Sequence, residues 1–485
     1  MKSVLQYIQR QVDANGHAVA FSNDERVVSY TQLLARSAAF RDCFLASRIQ
    51  PGNRVGIALS DDIEMMAAII GTWACQATAV PIDFRNRKSQ RKATFESFEL
   101  ALIVEDDTDI AADYKYIAID EVAEAGKWQN ISDFGNAPAF IAATSGTSGL
   151  PSGIVLSHET YCHRLEVYHV CYPLTATSKT MLCYPISFAA SRTLCVMTLM
   201  AGGQNCIAPY LASGEELVEF IRTQEITEAY IVPVTLQALV EAGTASDFKS
   251  LRYLGFGSAP TADSLKARAL DFFKCDLVEV YSATSTGGLS FHTSESLRNR
   301  PETVGKIFDG VEVEIADGNG KPLPFDQVGL VRTRGPALIS EVIGGHAGGD
   351  FLSNGWAYPG DLGSIGADRY LTLSGRRSEM IVRGGEKIYP LEVESVLLSH
   401  PHVSDAAVVA IAHSSLGEQV AALVCSSKPQ ALTTLRSHCV NHLPGSKVPA
   451  VFKIVEKIPR NANGKILRQE AARLFLATSS EAELS

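Results

Sequence analysis

The chain has 485 residues, a formal net charge of −10, 46% apolar residues and 20% charged ones. That length exceeds one ordinary core and implies at least two domains; the balance is that of a folded globular protein, with only the tail from Ala477 to Ser485 expected to lack order. The acidic charge excludes a nucleic-acid backbone as the main partner, because that calls for a basic face, but it leaves room for one local basic pocket for a phosphate.

The N-terminus, Met1 to Val12, has Lys2 and Arg10 and no apolar run, so it does not read as a signal peptide. Arg54–Ser60 reads as a strand and Asp62–Trp73 as a helix with apolar residues at helical spacing. The most apolar stretch, Met65 to Val80, is short and broken by Gly71, Thr72, Gln76 and Thr78, which excludes a membrane span. Ala101–Glu105 and Tyr116–Ile119 are short strand candidates. Ser157–Val170 reads as helical, Thr180–Tyr184 as extended, and Ser213–Glu216 as a capping box opening a helix to about Gln224. Ala229–Val232, Leu251–Phe256 and Leu277–Tyr281 read as buried strands separated by helices such as Ala262–Phe273. Repeated strand–helix–strand units predict an α/β fold of mostly parallel, helix-covered sheets.

After about Pro301 the pattern changes. Val311–Ile315, Gly329–Arg334 and Tyr370–Ser374 alternate apolar and polar residues, which predicts a small antiparallel or barrel-like segment. A helix at Pro390–Leu398, a strand at Ala406–Ile411 and a helix near Leu432–His442 then suggest a small α+β domain. The division expected is 1–375 for a large core and 376–485 for a small mobile domain. Ten cysteines stand singly from Cys43 to Cys439 with no C-x-x-C pair, as expected of reduced core thiols in a cytoplasmic protein rather than a zinc site or disulfide framework.

The strongest local signal follows the apolar run Phe140–Ala142. Ala143, Thr144, Ser145, Gly146, Thr147, Ser148, Gly149, Leu150, Pro151, Ser152 and Gly153 form a loop rich in glycine and hydroxyl groups. Glycines let backbone N–H groups turn inward and hydroxyls donate to anionic oxygens, which suits polyphosphate; the helix expected from about Ser157 would add its positive end. The same composition suits a plain surface loop. The segment has no Gly-Lys-Ser/Thr and so is not the common nucleotide P-loop.

This loop resembles the first signature of the adenylate-forming superfamily, which comprises acyl-CoA synthetases, adenylation domains of peptide synthetases and firefly-type luciferases. The resemblance recurs in order along most of the chain. Ser258, Ala259 and Pro260 resemble the adenine-contacting turn. Tyr281, Ser282, Ala283, Thr284 and Ser285 are similar to the segment whose aromatic residue stacks on adenine. Tyr358-Pro359-Gly360-Asp361-Leu362 resembles the ribose-binding segment, and Gly375-Arg376 the start of the hinge. Gly384-Gly385-Glu386-Lys387 resembles the loop that follows, and Asn463-Gly464-Lys465-Ile466 the segment whose lysine bridges carboxylate and α-phosphate. The resemblance implies ATP and Mg²⁺ as cofactors, Lys465 as the catalytic cation and Asp361 as the acceptor for ribose hydroxyls. Those residue types fit the chemistry: a cation meets charge that builds in the transition state, and a carboxylate only accepts. On their own, Lys465 reads as a solvated lysine, Asp361 as a turn residue, Tyr281 as a core aromatic and Arg376 as half of an ion pair.

Three positions depart from the family pattern. Ser152 stands where lysine is usual, Ser285 where a Mg²⁺-holding glutamate is usual, and Ser378 at the hinge where aspartate or lysine is common. Thr284 is then the remaining metal candidate, and weakened metal binding is expected rather than none.

The acid pocket is expected near Phe188, Ala189, Ser191, Val232, Gly257 and Thr286. Amino-acid-activating relatives usually show Phe-Asp-x-Ser where this chain has Phe188-Ala189-Ala190-Ser191. Without an anion at Ala189 an α-ammonium would be buried unpaired, so the acid expected lacks an α-amino group. Phe188, Phe256 and Phe291 suit either an aryl or acyl pocket or the core. The Gly384-Gly385 pair suits passage of a narrow pantetheine arm, with coenzyme A favoured as thiol and a carrier-protein phosphopantetheine or an amine as alternatives. A nucleotide-binding protein with degraded activity is the rival from another class.

Overall fold

The computed structural model describes residues 3–106, 115–129, 136–144, 152–339, 341–344, 352–426, 432–460 and 465–476. The loop at 145–151 and the tail from Ala477 lie outside the described residues. Two large sheets dominate. In the nine-stranded sheet, Lys179–Leu182, Gln204–Ile207, Glu228–Ile231, Tyr253–Gly257 and Asp276–Ala283 run parallel, and antiparallel strands Gly287–His292 and Val27–Ser29 lie towards its edges. In the seven-stranded sheet, Arg54–Ala58, Thr78–Pro81, Leu102–Glu105, Tyr116–Ala118 and Pro138–Thr144 are parallel, followed by antiparallel Ser152–Ser157 and Glu341–Gly344. The α/β expectation holds, with strand ends shifted by one or two residues.

Local chemistry sets the helices. Asp61 caps Asp62–Ala74 by accepting from the N–H groups of Ile63 and Glu64, and Ser213 closes the expected capping box on Gly214–Gln224. Helix Asp62–Ala74 is buried along nearly its whole length. That explains why Met65–Val80 is so apolar: it is a core helix, and no helix among the described residues is long and apolar enough to cross a membrane. Trp73 is fully buried, packs edge-on against Phe140 at 5.1 Å and donates its indole N–H to the Ala139 carbonyl at 2.9 Å. It joins the helix to the strand that leads into the glycine–hydroxyl loop.

The alternating segment after Pro301 forms a six-stranded antiparallel sheet built from Glu312–Ala316, Gly329–Arg334, Leu352–Ser353, Trp356–Ala357, Asp361–Ile365 and Leu371–Arg376. Its strand order is open, so the barrel-like expectation is corrected to an open sheet among the described residues. A five-stranded mixed sheet after residue 380 carries helices Pro390–Leu398, Leu432–His442 and Arg468–Leu476. Its longest pair, Val403–His413 with Gly417–Ser426, extends well past the expected Ala406–Ile411 because the apolar run continues through an antiparallel hairpin. All ten cysteines are free thiols.

Replacing Trp73 with alanine removes a buried indole and its hydrogen bond. The expected cost is about 3–5 kcal/mol, read as a fall in the urea midpoint of the large domain; an unmoved midpoint would show that Trp73 does not anchor this core.

Candidate active site

Strand Asp361–Ile365 begins with Asp361, and its partner strand Leu371–Arg376 ends with Arg376; the two residues are opposite one another in the ladder. Arg376 Nε lies 3.2 Å from Asp361 Oδ1. The other carboxylate oxygen accepts from the Tyr281 hydroxyl at 2.5 Å. Tyr281 belongs to strand Asp276–Ala283 of the nine-stranded sheet, so one carboxylate joins two sheets. Asp361 is only 6% exposed. Burial raises its pKa, opposed by Arg376, by the Tyr281 hydrogen bond and by Lys465. Each oxygen keeps lone-pair capacity for a further donor, as a pair of ribose hydroxyls requires.

Lys465 reaches the same place from the far end of the chain. Burial lowers its pKa and so does Arg376, while Asp361 and Glu379 pull it back up. Two cations and two carboxylates therefore share one recess, and the cationic pair favours an incoming anion. Glu379 is held in turn by Arg468 Nε at 2.6 Å, whose Nη1 also donates to Glu394 Oε1 at 2.5 Å. Ser378 lies within the single turn Arg377–Glu379, directly between Arg376 and this ion network.

Ser258 occupies left-handed backbone, φ 68°, immediately after Gly257 at φ 156°. Its hydroxyl is 2.8 Å from the Tyr230 hydroxyl. A side chain at Gly257 would lie 2.6 Å from the Val280 carbonyl, so glycine is what lets this turn close on its neighbour strand. Ala259 is half-buried and Pro260 exposed; they continue the turn outwards. Ser282 is exposed, with Tyr168 beside it.

The loop residues Ser145, Gly146, Thr147, Ser148 and Gly149 lie outside the described residues, as does the side chain of Thr144. What flanks them corrects one expectation. Thr144 pairs antiparallel with Ser152, so the loop joins two neighbouring strands, and the next helix starts only at His158. Six residues of extended chain, about 20 Å, separate that helix end from the loop.

Ser285, where the resemblance expects a carboxylate, is 4% exposed. The Thr284 and Ser285 carbonyls accept from Arg164 at 2.9 and 3.2 Å, and Arg164 Nε donates to the Ala337 carbonyl at 2.9 Å. This buried guanidinium, which no sequence signal marked, clamps the turn after Tyr281. No group of three His, Cys, Asp or Glu suited to a metal occurs among the described residues. The donors present fit Mg²⁺ only as an ion carried mainly by nucleotide phosphates, with Thr284 beside it.

The expected acid-pocket residues separate into two sets. Phe188 opens helix Ala189–Ala201 with its ring 5.9 Å from Tyr184, and Ala189 is half-buried. Val232 is buried and donates its N–H to the Tyr184 hydroxyl at 3.0 Å. Ser191 turns its hydroxyl onto the Tyr184 carbonyl at 2.6 Å and braces this segment. Thr286 instead lines a cavity of about 230 Å³ with His163, Val167, Asp309, Thr333 and Leu338, whose walls include none of Phe188, Ala189, Val232 or Gly257. Phe256 points into the opposite face of the sheet and Phe291 stacks on Phe308 at 4.6 Å; both are core. Gly384 and Gly385, at φ 57° and 89°, form the two-residue turn between Ile381–Arg383 and Glu386–Ile388, so the hairpin itself requires both glycines.

Comparison with known proteins places nearly the whole chain among similar folds and sequences. The family model described as AMP-binding enzyme matches residues 8–341, and that of the AMP-binding enzyme C-terminal domain matches residues 392–465. The chain is 26% identical to a fatty acid–[acyl-carrier-protein] ligase of Streptomyces coeruleorubidus, over 94% of this chain and 93% of that one. It is 25% identical to the 2-succinylbenzoate–CoA ligase of Bacillus subtilis (strain 168), over 96% of each chain. Its fold matches the amide bond synthetase McbA of Marinactinospora thermotolerans with a TM-score of 0.87 at 23% identity, covering 97% of this chain and 100% of that one. The chain therefore belongs to the AMP-binding enzyme family.

Proposed function

We propose that this chain activates a carboxylic acid without an α-amino group as its acyl adenylate and then transfers the acyl group to a thiol. The observation that carries the reading is the meeting of Lys465, Arg376 and Tyr281 around the buried Asp361 carboxylate. Asp361 would accept from the ribose hydroxyls, with Tyr281 and Arg376 fixing its orientation. Lys465 would sit between the substrate carboxylate and the α-phosphate. A carboxylate oxygen then bonds to the α-phosphorus and pyrophosphate leaves. Charge grows on the phosphorus oxygens as this happens, and a positioned ammonium stabilises it. Mg²⁺, when bound, shields the polyphosphate, and with serine at 285 the chain's own contribution to it would fall to Thr284.

In the second step a thiol sulfur bonds to the acyl carbon, AMP leaves and the thiol proton passes to solvent. Coenzyme A is our reading of the acceptor; a carrier-protein thiol and an amine are the chemistry of the two other relatives named above. We take 1–375 as the adenylating core and 376–485 as a domain that turns about Ser378, between the pose seen here and one that brings Gly384-Gly385 to the adenylate. A nucleotide-binding protein without ligase activity would need no second cation of the Lys465 kind beside Arg376.

Pyrophosphate release with ATP, Mg²⁺, coenzyme A and a panel of acids is expected to depend on the acid and to fall at least about a hundredfold in Lys465→Ala. Release with no acid, or no effect of the substitution, would leave the nucleotide-binding reading. Nucleotide affinity should also titrate. Only ionised Asp361 accepts from both ribose hydroxyls, so AMP binding is expected to be full above its raised pKa and to weaken as pH falls through it. Arg376→Gln removes the main force holding that pKa down, so the weakening should move to higher pH in calorimetric titrations; an unshifted midpoint would separate Asp361 from the nucleotide. Ser285→Glu supplies the missing carboxylate and is expected to lower the Mg²⁺ concentration for half-maximal pyrophosphate release by roughly tenfold. An unchanged Mg²⁺ dependence would mean position 285 never faces the metal.

A further inference from the structure

Deep to the Gly257–Ser258 turn, on the same face of the nine-stranded sheet, three tyrosines converge. Tyr230 lies on Glu228–Ile231 directly opposite Gly255 of the neighbouring strand. Tyr172 reaches in from the segment after helix His158–Tyr168, and its hydroxyl stands where a side chain at Gly255 would be, 1.7 Å from that Cβ position. Tyr168, at the end of that helix, lies against Gly288, 2.9 Å from its Cβ position. Three aromatic side chains thus fill three glycine niches on one sheet face.

The hydrogen bonds of the cluster are unequal. Tyr230 is satisfied by Ser258 at 2.8 Å, and Tyr168 has the Ser282 side chain beside it. Tyr172 is 4% exposed, and its hydroxyl has no hydrogen-bond partner among the described residues. A buried phenol without a partner is destabilising, and a site that keeps one is matched to a group that arrives from elsewhere. Arg164, one turn before Tyr168, already gives three N–H groups to carbonyls, so the donor on offer at this end is a neutral O–H.

Spacing sets the length. Residues 255 and 257 share one face of their strand, about 7 Å apart, with the turn at Ser258 at the outer end and Tyr172 closing the inner one. One aromatic ring or a short chain covers that distance. Resting on the adenylation reading above, we infer that the acid is short and carries an uncharged oxygen acceptor, keto or hydroxyl, at the end away from its carboxylate, and that the Tyr172 hydroxyl selects it by donating to that oxygen. The two residues nearest the carboxylate end, Gly257 and Ser258, then orient the reacting group, while Tyr168 and Tyr230 flank the path between.

The test compares matched acids by pyrophosphate release: benzoate with 4-hydroxybenzoate and 4-acetylbenzoate, hexanoate with 6-hydroxyhexanoate and 5-oxohexanoate, and decanoate for length. The oxygen-bearing member of each set is expected to win in kcat/KM by about tenfold to a hundredfold, with decanoate poorest. Tyr172→Phe keeps the ring and removes only the unpartnered hydroxyl. It should abolish the preference and raise activity towards the plain acids, with a thermal midpoint equal to or above the parent's. Preference for plain or long acids, or a preference that survives in Tyr172→Phe, overturns the inference while leaving adenylation standing. A lower midpoint in Tyr172→Phe also counts against it, since it would mean the hydroxyl has a structural partner. Release with no acid at all overturns the adenylation reading on which the inference rests.

Discussion

The Asp361 carboxylate is the point on which the site depends. One oxygen takes the Tyr281 hydroxyl from the nine-stranded sheet and the other faces Arg376 across its own ladder, so two separately built sheets are fixed at one buried charge. Burial alone raises that carboxylate's pKa. The guanidinium, the phenol and the Lys465 ammonium work against this, and removal of any one leaves the buried carboxylate less well compensated. The same arrangement explains why Lys465 stays near a second cation: the carboxylates of Asp361 and Glu379 offset Arg376.

Around that point the chain uses backbone polar groups where a carboxylate might be expected. Arg164 is buried and satisfied by three carbonyls, those of Thr284, Ser285 and Ala337. Carbonyl dipoles spread the compensation of its charge over two loops, so the turn that follows Tyr281 is held without a counter-ion in its own segment. Burial lowers this guanidinium's pKa only to about 10, so it remains charged at neutral pH.

Much of this was legible in the sequence. Strand and helix positions followed from periodicity, and Tyr281, Asp361, Arg376 and Lys465 were singled out by their motifs. Their mutual contacts were not, because each motif is local while Asp361 meets Tyr281 from another sheet and Arg376 across its own ladder. The helix expected from about Ser157 begins at His158; what went unread is the strand Ser152–Ser157 before it, because Ile154-Val155-Leu156 is too short an apolar run to announce a strand and the pairing with Thr144 decides it. Arg164 reads from sequence as one more surface arginine, since nothing in its neighbours announces carbonyl partners more than a hundred residues away. The Gly384-Gly385 pair is explained at the level of a two-residue turn, which is a reminder that a glycine motif answers first to backbone geometry.

The cysteines described in the fold have a chemical corollary. Burial pushes Cys75, Cys183 and Cys275 to about 12 and Cys439 to about 11, and Cys43, Cys171, Cys195, Cys206 and Cys425 are also raised. A thiol held far above neutral pH offers almost no thiolate, and the thiolate is the nucleophile. An activated acyl group formed beside these nine thiols meets little thiolate in them at neutral pH, which favours a guest thiol over the protein's own sulfur as acceptor.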